Sequence, residues 1–255
     1  MEPSTRPVCL LRHLPGERWL ESARNARAVD PDNVPEGVVL EELANEGERL
    51  AVDVRRFWGP KGVKLTVGFL DGPPPELRAR VLAHFNAWSN VANVRFVESD
   101  VDPQVRISRA EVGYWSYLGT DLLLVERALP TMSLQGFTME TPESEFRRVV
   151  RHEAGHALGF PHEHLREQVI ARLDAERVIA YFMGANAWSR QQVIDQMLAP
   201  IEERSLLGTP DPDETSIMCY EVPAQLTKDG RPIVGGFDIN KADALFAGRV
   251  YPPLA

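Results

Sequence analysis

Two histidines four positions apart, His152 and His156, form the pattern in this sequence with the clearest chemical meaning. A step of four residues turns an α-helix by about 400°, so both imidazoles leave one face and can bind one metal ion. Glu153 follows the first histidine and can act as a general base toward a metal-activated water. His-Glu-x-x-His alone is a modest signal, because a histidine pair on a helix is also compatible with simple packing.

Two further residues, Gly159 and His162, extend the pattern to HExxHxxGxxH. Glycine permits the sharp turn that returns a third imidazole to the metal. Three neutral imidazoles suit Zn²⁺ and leave an open position for a water molecule. The sequence therefore predicts one catalytic zinc ion held by His152, His156 and His162, with Glu153 as the general base.

The extended motif and the residues after it resemble the metzincins and, within them, the astacin family of zinc endopeptidases. Glu163 and Arg166 follow the third histidine as they do in that family, and the segment Ser216-Ile217-Met218-Cys219-Tyr220 resembles its Met-turn. The resemblance implies that Met218 forms the floor beneath the zinc. It also implies that Tyr220 is a switchable zinc ligand that assists the oxyanion. Taken alone, the methionine would be core filler and the tyrosine a packed ring.

Two weaker similarities concern substrate binding and the C-terminal part. The segment from Gly113 to Gly119 resembles the one leading into the edge strand that pairs with an extended substrate in the family, although an ordinary aromatic strand is the alternative. The segment from Pro232 to Asn240, with Tyr251, resembles the C-terminal part of bacterial astacin-like proteins, and we expect it to pack. The resemblance covers about residues 54 to 255.

The cysteines depart from the family pattern. The chain has only Cys9 and Cys219, so it lacks the two disulfides usual in astacin catalytic domains. The aspartate motif of astacin zymogens is not evident in residues 1 to 53. Cys9 could instead be a latency thiolate on zinc, as in matrix metalloproteases, but Pro7-Val8-Cys9-Leu10 matches their switch poorly. We expect Cys9 to be a small buried hydrophobe, and we expect no role for His164.

One helix must position the first two histidines. Thr141 is a suitable N-cap, Pro142 suits the first helical position, and Gly159 suits a left-handed C-terminal cap. Apolar residues between them recur at helical spacing and are predicted to face the core: Phe146, Val149, Val150, Ala154 and Ala157.

A sheet with helices is predicted around this helix. Alternating apolar residues from Val63 to Phe69 predict a strand, and Leu77, Val81, Phe85 and Trp88 recur at helical spacing. Further strands are expected at 94–97, 105–108, 113–124 and 132–137, and later helices at 173–183, 189–198 and 239–247. The fold class is thus α+β, and the resemblance implies a metzincin-type domain with a twisted mixed sheet and two long helices in an upper lobe. A lower lobe of loops and helices would complete the zinc cleft.

Composition bounds the protein class. With 255 residues, 44% of them hydrophobic, and a net charge of −9, the chain suits one globular catalytic domain and does not suit a protein that binds nucleic acid or anionic membranes.

No apolar run could span a bilayer and the first twenty residues lack a signal-peptide core, so we expect synthesis in the cytoplasm, with export by another route still open. Residues 1–53, with helices expected at 19–29 and 38–52, form an N-terminal extension or pro-segment, and 54–255 form the catalytic domain.

These observations predict a zinc endopeptidase acting on a protein or peptide bound in an extended conformation. One alternative is a non-catalytic, zinc-containing peptide-binding module, and another is a zinc hydrolase acting on a non-peptide amide. Glu153 argues against the binding module, because a structural zinc site would need a fourth ligand and no base.

Overall fold

The computed structural model describes residues 8–34, 36, 38–40, 54–201 and 211–253. Its centre is a six-stranded sheet in the order β1-β5-β6-β4-β2-β3. The strands are β1 (Cys9–Arg12), β2 (Val63–Phe69), β3 (Val94–Glu98), β4 (Val105–Ser108), β5 (Tyr114–Tyr117) and β6 (Met132–Leu134). β5 and β6 are antiparallel, and all other neighbouring strands are parallel. The sheet is therefore mixed, and the predicted α+β class is confirmed.

The sheet is covered by helix α2 (Pro75–Phe85). Leu65 and Val67 of β2 are buried, as are Leu77 and Val81 of α2, so the alternating and helical patterns in the sequence mark the core correctly.

The predicted strand over 113–124 is too long. It ends at Tyr117, and Gly119–Leu124 is a 3₁₀ helix.

Glycine geometry explains where the strand stops. Gly119 has φ of +46°, and a Cβ there would lie 1.8 Å from the backbone oxygen of Arg56. The chain must therefore leave the sheet at this glycine. The strand predicted over 132–137 likewise ends early, at Leu134, before Gly136 with φ of +66°.

The histidine helix, α3, consists of three consecutive segments: Glu143–Glu145, a π-helical segment Phe146–Val150, and Arg151–Ala157. It begins one residue later than predicted, with Pro142 at the N-cap position. The Thr141 hydroxyl does not cap it and instead accepts a hydrogen bond from the Thr138 N–H at 3.0 Å. The five predicted core residues are all buried, so the apolar face was identified correctly.

Shorter helices follow the third histidine: α4 (Glu167–Ile170), α5 (Ala175–Asn186), α6 (Arg190–Val193) with its π-helical continuation Ile194–Leu198, and α7 (Lys241–Val250). Each of the last three begins at a side chain that accepts a backbone N–H, namely Asp174, Ser189 and Asn240. The helices expected in these regions are present, with ends shifted by a few residues.

The N-terminal part packs on the rest of the domain through α1 (Trp19–Val29), which has the predicted bounds. The Ser22 hydroxyl donates to Asp121 at 2.5 Å, and the Asn25 amide donates to the Thr120 carbonyl at 2.9 Å. The helix expected at 38–52 lies almost wholly outside the described residues. Within the described ranges, no helix is long and apolar enough to cross a membrane.

Candidate metal centre

The three predicted ligands meet at one point. His152 and His156 leave the same face of α3, and His162 returns to them from the loop that follows. The Nε2 atom of His162 lies 3.2 Å from Nε2 of His152 and 3.0 Å from Nε2 of His156. All three side chains are buried. Burial lowers the pKa of His152 to about 4 and lowers the pKa values of His156 and His162 well below their usual value, so the imidazoles remain neutral.

The hydrogen bonds of the ring nitrogens test whether this cluster suits a cation. His152 Nδ1 lies 2.6 Å from the Ile217 carbonyl oxygen, and His156 Nδ1 lies 2.7 Å from that of Phe160. Because a carbonyl only accepts, each Nδ1 carries the proton and each Nε2 presents a lone pair. The Nδ1 atom of His162 has no partner among the described residues, so the proton of this imidazole can also lie on Nδ1, which leaves a third lone pair for a cation. Tetrahedral Zn²⁺ would set such nitrogens about 3.3 Å apart, close to the spacing here.

Gly159 shapes the return of the third histidine. It has φ of +94°, and a Cβ there would lie 2.8 Å from the Phe57 ring and 2.9 Å from the Arg56 carbonyl oxygen. Glycine thus both ends α3 and lets the chain pass close to Phe57. Beyond the turn, the Glu163 N–H donates to the Met218 carbonyl at 2.9 Å. This bond ties the third ligand to the segment that resembles a Met-turn.

The 216–219 segment packs against α3 at Gly155. A Cβ on Gly155 would lie 2.6 Å from Met218 Sδ, so only glycine allows this approach. Asp243 on α7 fixes the segment from the other side, because its carboxylate accepts from the Ser216 hydroxyl at 2.6 Å and the Ile217 N–H at 3.0 Å. The same Ile217 holds His152 through its carbonyl. Sequence reasoning missed Asp243, whose position on α7 gives no local signal.

Glu153 is fully buried, and among the described residues its carboxylate oxygens have no hydrogen-bonding neighbour other than the Cys9 thiol. Burial raises its pKa to about 8. A cation on the three imidazoles would favour the ionised form, because an opposite charge nearby stabilises a carboxylate. The arrangement leaves both oxygens available for proton transfer.

Tyr220 lies over the cluster, with its ring centroid 4.4 Å from that of His162. Its hydroxyl is buried without a hydrogen-bond partner in the described part of the chain, and burial raises its pKa well above its usual value. The phenol therefore stays protonated and can donate. His164, for which no role was expected, stacks on this ring at 4.0 Å with 21° between the planes.

Cys9 is buried in the hydrophobic core, as expected, and it also lies beside the histidine cluster. Its Sγ, a Glu153 oxygen and a His152 nitrogen all lie within 4.8 Å of one another. Strand β1 carries it there by pairing with β5, in the register Cys9 to Tyr114 and Leu11 to Ser116. Burial raises the pKa of the thiol. Both cysteines are free.

A cavity of about 240 Å³ opens beside the cluster. Its lining includes His152 and Tyr220 from the site, Cys9 and Val8 from the N-terminal part, and Arg148 from α3. Arg148 pairs with Glu145 at 2.7 Å. The cavity is large enough to receive a peptide side chain next to the histidines.

Comparisons with known proteins agree with this geometry. The model of the peptidase family named Astacin matches residues 54–224. "Zinc metalloproteinase nas-27" of Caenorhabditis elegans is 29% identical over 176 residues, which are 68% of this chain and 36% of the relative. The chain thus spans about a third of the length of that relative.

Solved structures give the same result. "Structure of myroilysin" is 33% identical with a TM-score of 0.73, covering 78% of this chain and 97% of that chain. "Crystal structure of myroilysin" is 28% identical with a TM-score of 0.59, covering 95% and 98%. A hatching enzyme zinc-protease from Oryzias latipes, with 21% identity, a TM-score of 0.51 and coverage of 77% and 94%, shares the fold. The metzincin-type fold predicted from the sequence is confirmed, and the chain belongs to the astacin family of peptidases.

Proposed function

We propose that this chain is a zinc endopeptidase that hydrolyses peptide bonds of proteins or peptides bound in an extended conformation. His152, His156 and His162 hold the ion. The observation that carries the proposal is Glu153, a fully buried carboxylate that lies beside three imidazoles whose Nε2 atoms converge on one point. A purely structural metal site has no use for such a group.

Zinc bound to the three imidazoles would supply Lewis acidity, which makes water more acidic and polarises the scissile carbonyl. The Glu153 carboxylate accepts a proton from the attacking water and delivers it to the nitrogen of the leaving amine. The Tyr220 hydroxyl would be a further ligand of the ion in the resting site, and during hydrolysis it donates a hydrogen bond to the oxygen that becomes negatively charged. Its buried, protonated state supports this role.

The substrate backbone pairs with β5. Without β1, this strand is the edge of the sheet, and its free N–H and C=O groups can hold an extended peptide by strand addition. Residues 113–119, singled out in the sequence for this role, contain β5. The cavity lined by His152 and Tyr220 receives a side chain of the residue next to the scissile bond.

Residues 1–53 act as a pro-segment, and the Cys9 thiol would occupy the position that the three histidines leave open on the ion. Support comes from β1, which occupies the edge of β5 and brings the Cys9 thiol to the side of the cluster where Glu153 lies. A water could not be activated there while the thiol is in place. Residues 54–255 form the catalytic domain.

Hydrolysis is tested with denatured casein and a peptide library, with and without chelator. The zinc-loaded chain should cleave both, and Glu153→Gln should keep zinc but lose activity, because the carboxylate moves protons and does not hold the ion. His156→Ala, which should lack zinc, is the matched control. Cleavage by a zinc-loaded Glu153→Gln chain would refute the mechanism, and hydrolysis of non-peptide amides alone would favour the other hydrolase class.

Latency is tested by replacing zinc with Co²⁺ in the full chain. Thiolate coordination gives near-ultraviolet charge-transfer absorption, which should be present in the native sequence and absent in Cys9→Ala. Cys9→Ala should also hydrolyse peptides faster. Identical spectra and rates for the two chains would return Cys9 to the role of a buried hydrophobe.

A further inference from the structure

Gln196 holds the main chain of β1 on the side opposite β5. Its Oε1 accepts a hydrogen bond from the Leu11 N–H at 3.1 Å, and its Nε2 donates to the Leu11 carbonyl oxygen at 3.0 Å. These bonds satisfy both polar backbone groups of one residue, which in an extended strand point to the same side. Around Leu11, β1 therefore lies between the β5 ladder and a single glutamine amide.

The register relates this amide to the metal ligands. Cys9 and Leu11 are two positions apart and share the buried face of β1. Cys9 reaches His152 and Glu153. Gln196 therefore binds the backbone of β1 at Leu11, which is two residues, or about 7 Å along the strand, from Cys9.

The helix and its packing hold the backbone of Gln196 in place. It lies in the π-helical continuation of α6, next to the fully buried Met197. The helix starts with a capping box at Ser189. The Gln196 carbonyl oxygen also lies 2.9 Å from Nε2 of His164, the ring that stacks on Tyr220. None of these contacts involves β1, so the backbone that carries the amide is positioned independently of the resident strand.

We infer that Gln196 is a backbone-binding residue of the substrate cleft, which holds the main chain of an extended peptide about two residues from the scissile bond. This inference rests on the proposed function. A glutamine amide can rotate to exchange its oxygen and nitrogen, so it can serve a peptide running in either direction along β5. Because it contacts the backbone, Gln196 contributes affinity that does not depend on the side chains of the substrate.

The test uses peptide binding to the full, zinc-loaded chain. The background chain carries Cys9→Ala and Leu11→Pro, which weaken the binding of β1 in the cleft, since proline lacks the N–H that Gln196 binds. It also carries Glu153→Gln, so that the peptides are not cleaved during the measurement. In this background, Gln196 is compared with Gln196→Met, which has a similar length but no amide. Gln191→Met, an exposed glutamine on the same helix, is the matched control. The probes are fluorescent decapeptides in which a single N-methyl group is moved along the backbone.

In the background chain and in its Gln191→Met variant, we expect methylation of one particular peptide N–H to weaken binding about 5- to 10-fold. In the Gln196→Met variant the same methyl group should have little effect, since no amide binds that N–H. Equal N-methyl profiles in all three chains would overturn the inference. Failure of every peptide to bind would overturn it as well. Casein cleavage by the chain with Glu153 restored decides the proposed function separately, so the two failures are distinguishable.

Discussion

Replacing Gly155 by alanine tests the contact between the histidine helix and the Met218 segment. In a helix with free space, alanine is favoured over glycine by about 1 kcal/mol. Here the new Cβ would lie 2.6 Å from Met218 Sδ and 3.3 Å from Trp88 Cζ2. Met218 must move by about 1 Å to restore contact distance, and overpacking of this kind costs about 1–3 kcal/mol.

Gly184 on α5 is the matched control, because a Cβ there would meet no atom within 4 Å. Gly184→Ala should raise the free energy of unfolding by about 0.5–1 kcal/mol, whereas Gly155→Ala should lower it by about 1–2 kcal/mol. In thermal unfolding the two variants should differ in Tm by roughly 4–8 °C. Zinc affinity, measured by competition with a chelator, should fall only in Gly155→Ala, since moving Met218 disturbs the neighbouring Ile217 carbonyl that orients His152. A Gly155→Ala chain as stable as Gly184→Ala, with unchanged zinc affinity, would refute this reasoning.

Three further predictions concern single polar groups. Tyr220→Phe should keep zinc and lower kcat by about 10²–10³-fold with little change in KM, since its hydroxyl acts in the transition state. Steady-state kinetics on a peptide substrate measures this, and an unchanged kcat would mean that Tyr220 is only a packed ring. Tyr251→Phe removes a buried hydrogen bond to the Leu158 carbonyl of 2.5 Å and should cost about 1–2 kcal/mol in urea unfolding, whereas an unchanged midpoint would contradict it. In the metal-free chain, folding raises the pKa of Glu153 from 4.5 to about 8, so native Glu153 binds extra protons between these values. As the pH rises through this window, the free energy of unfolding of the native sequence should fall relative to that of the Glu153→Gln variant. If the two chains show the same pH dependence, the pKa of Glu153 is not raised by folding.

Local patterns in the sequence predicted the histidine helix and its ligands because all their information lies within a short stretch. Helical spacing places His152 and His156 together, and Gly159 signals the turn without reference to distant residues. The alternation in β2 was equally informative, because one face of that strand is buried. The start of α3 was misplaced by one residue, since proline suits both the N-cap and the first helical position.

Contacts between distant residues could not be predicted in this way. β1 has four residues and pairs with β5 more than a hundred positions later, so neither its length nor its composition distinguished it from a loop. The placement of Cys9 beside Glu153 follows from that pairing. Asp243 and Gln196 are polar residues on helix faces, and only the packing of α7 and α6 shows what they hold.

The bonds from Asp243 to the 216–219 segment also order events during synthesis of the protein. Two of the proposed metal ligands lie on α3, but the carbonyl that orients His152 belongs to Ile217, whose backbone N–H is held by a carboxylate 26 residues further along the chain. When only the histidine motif of a growing chain has left the ribosome, the histidines are present but Ile217, whose carbonyl orients His152, is not yet held by Asp243. Because contacts of long sequence separation form late, ordered zinc binding should follow the emergence of α7. On the proposed function, a nascent chain would gain peptidase activity only after α7 has emerged.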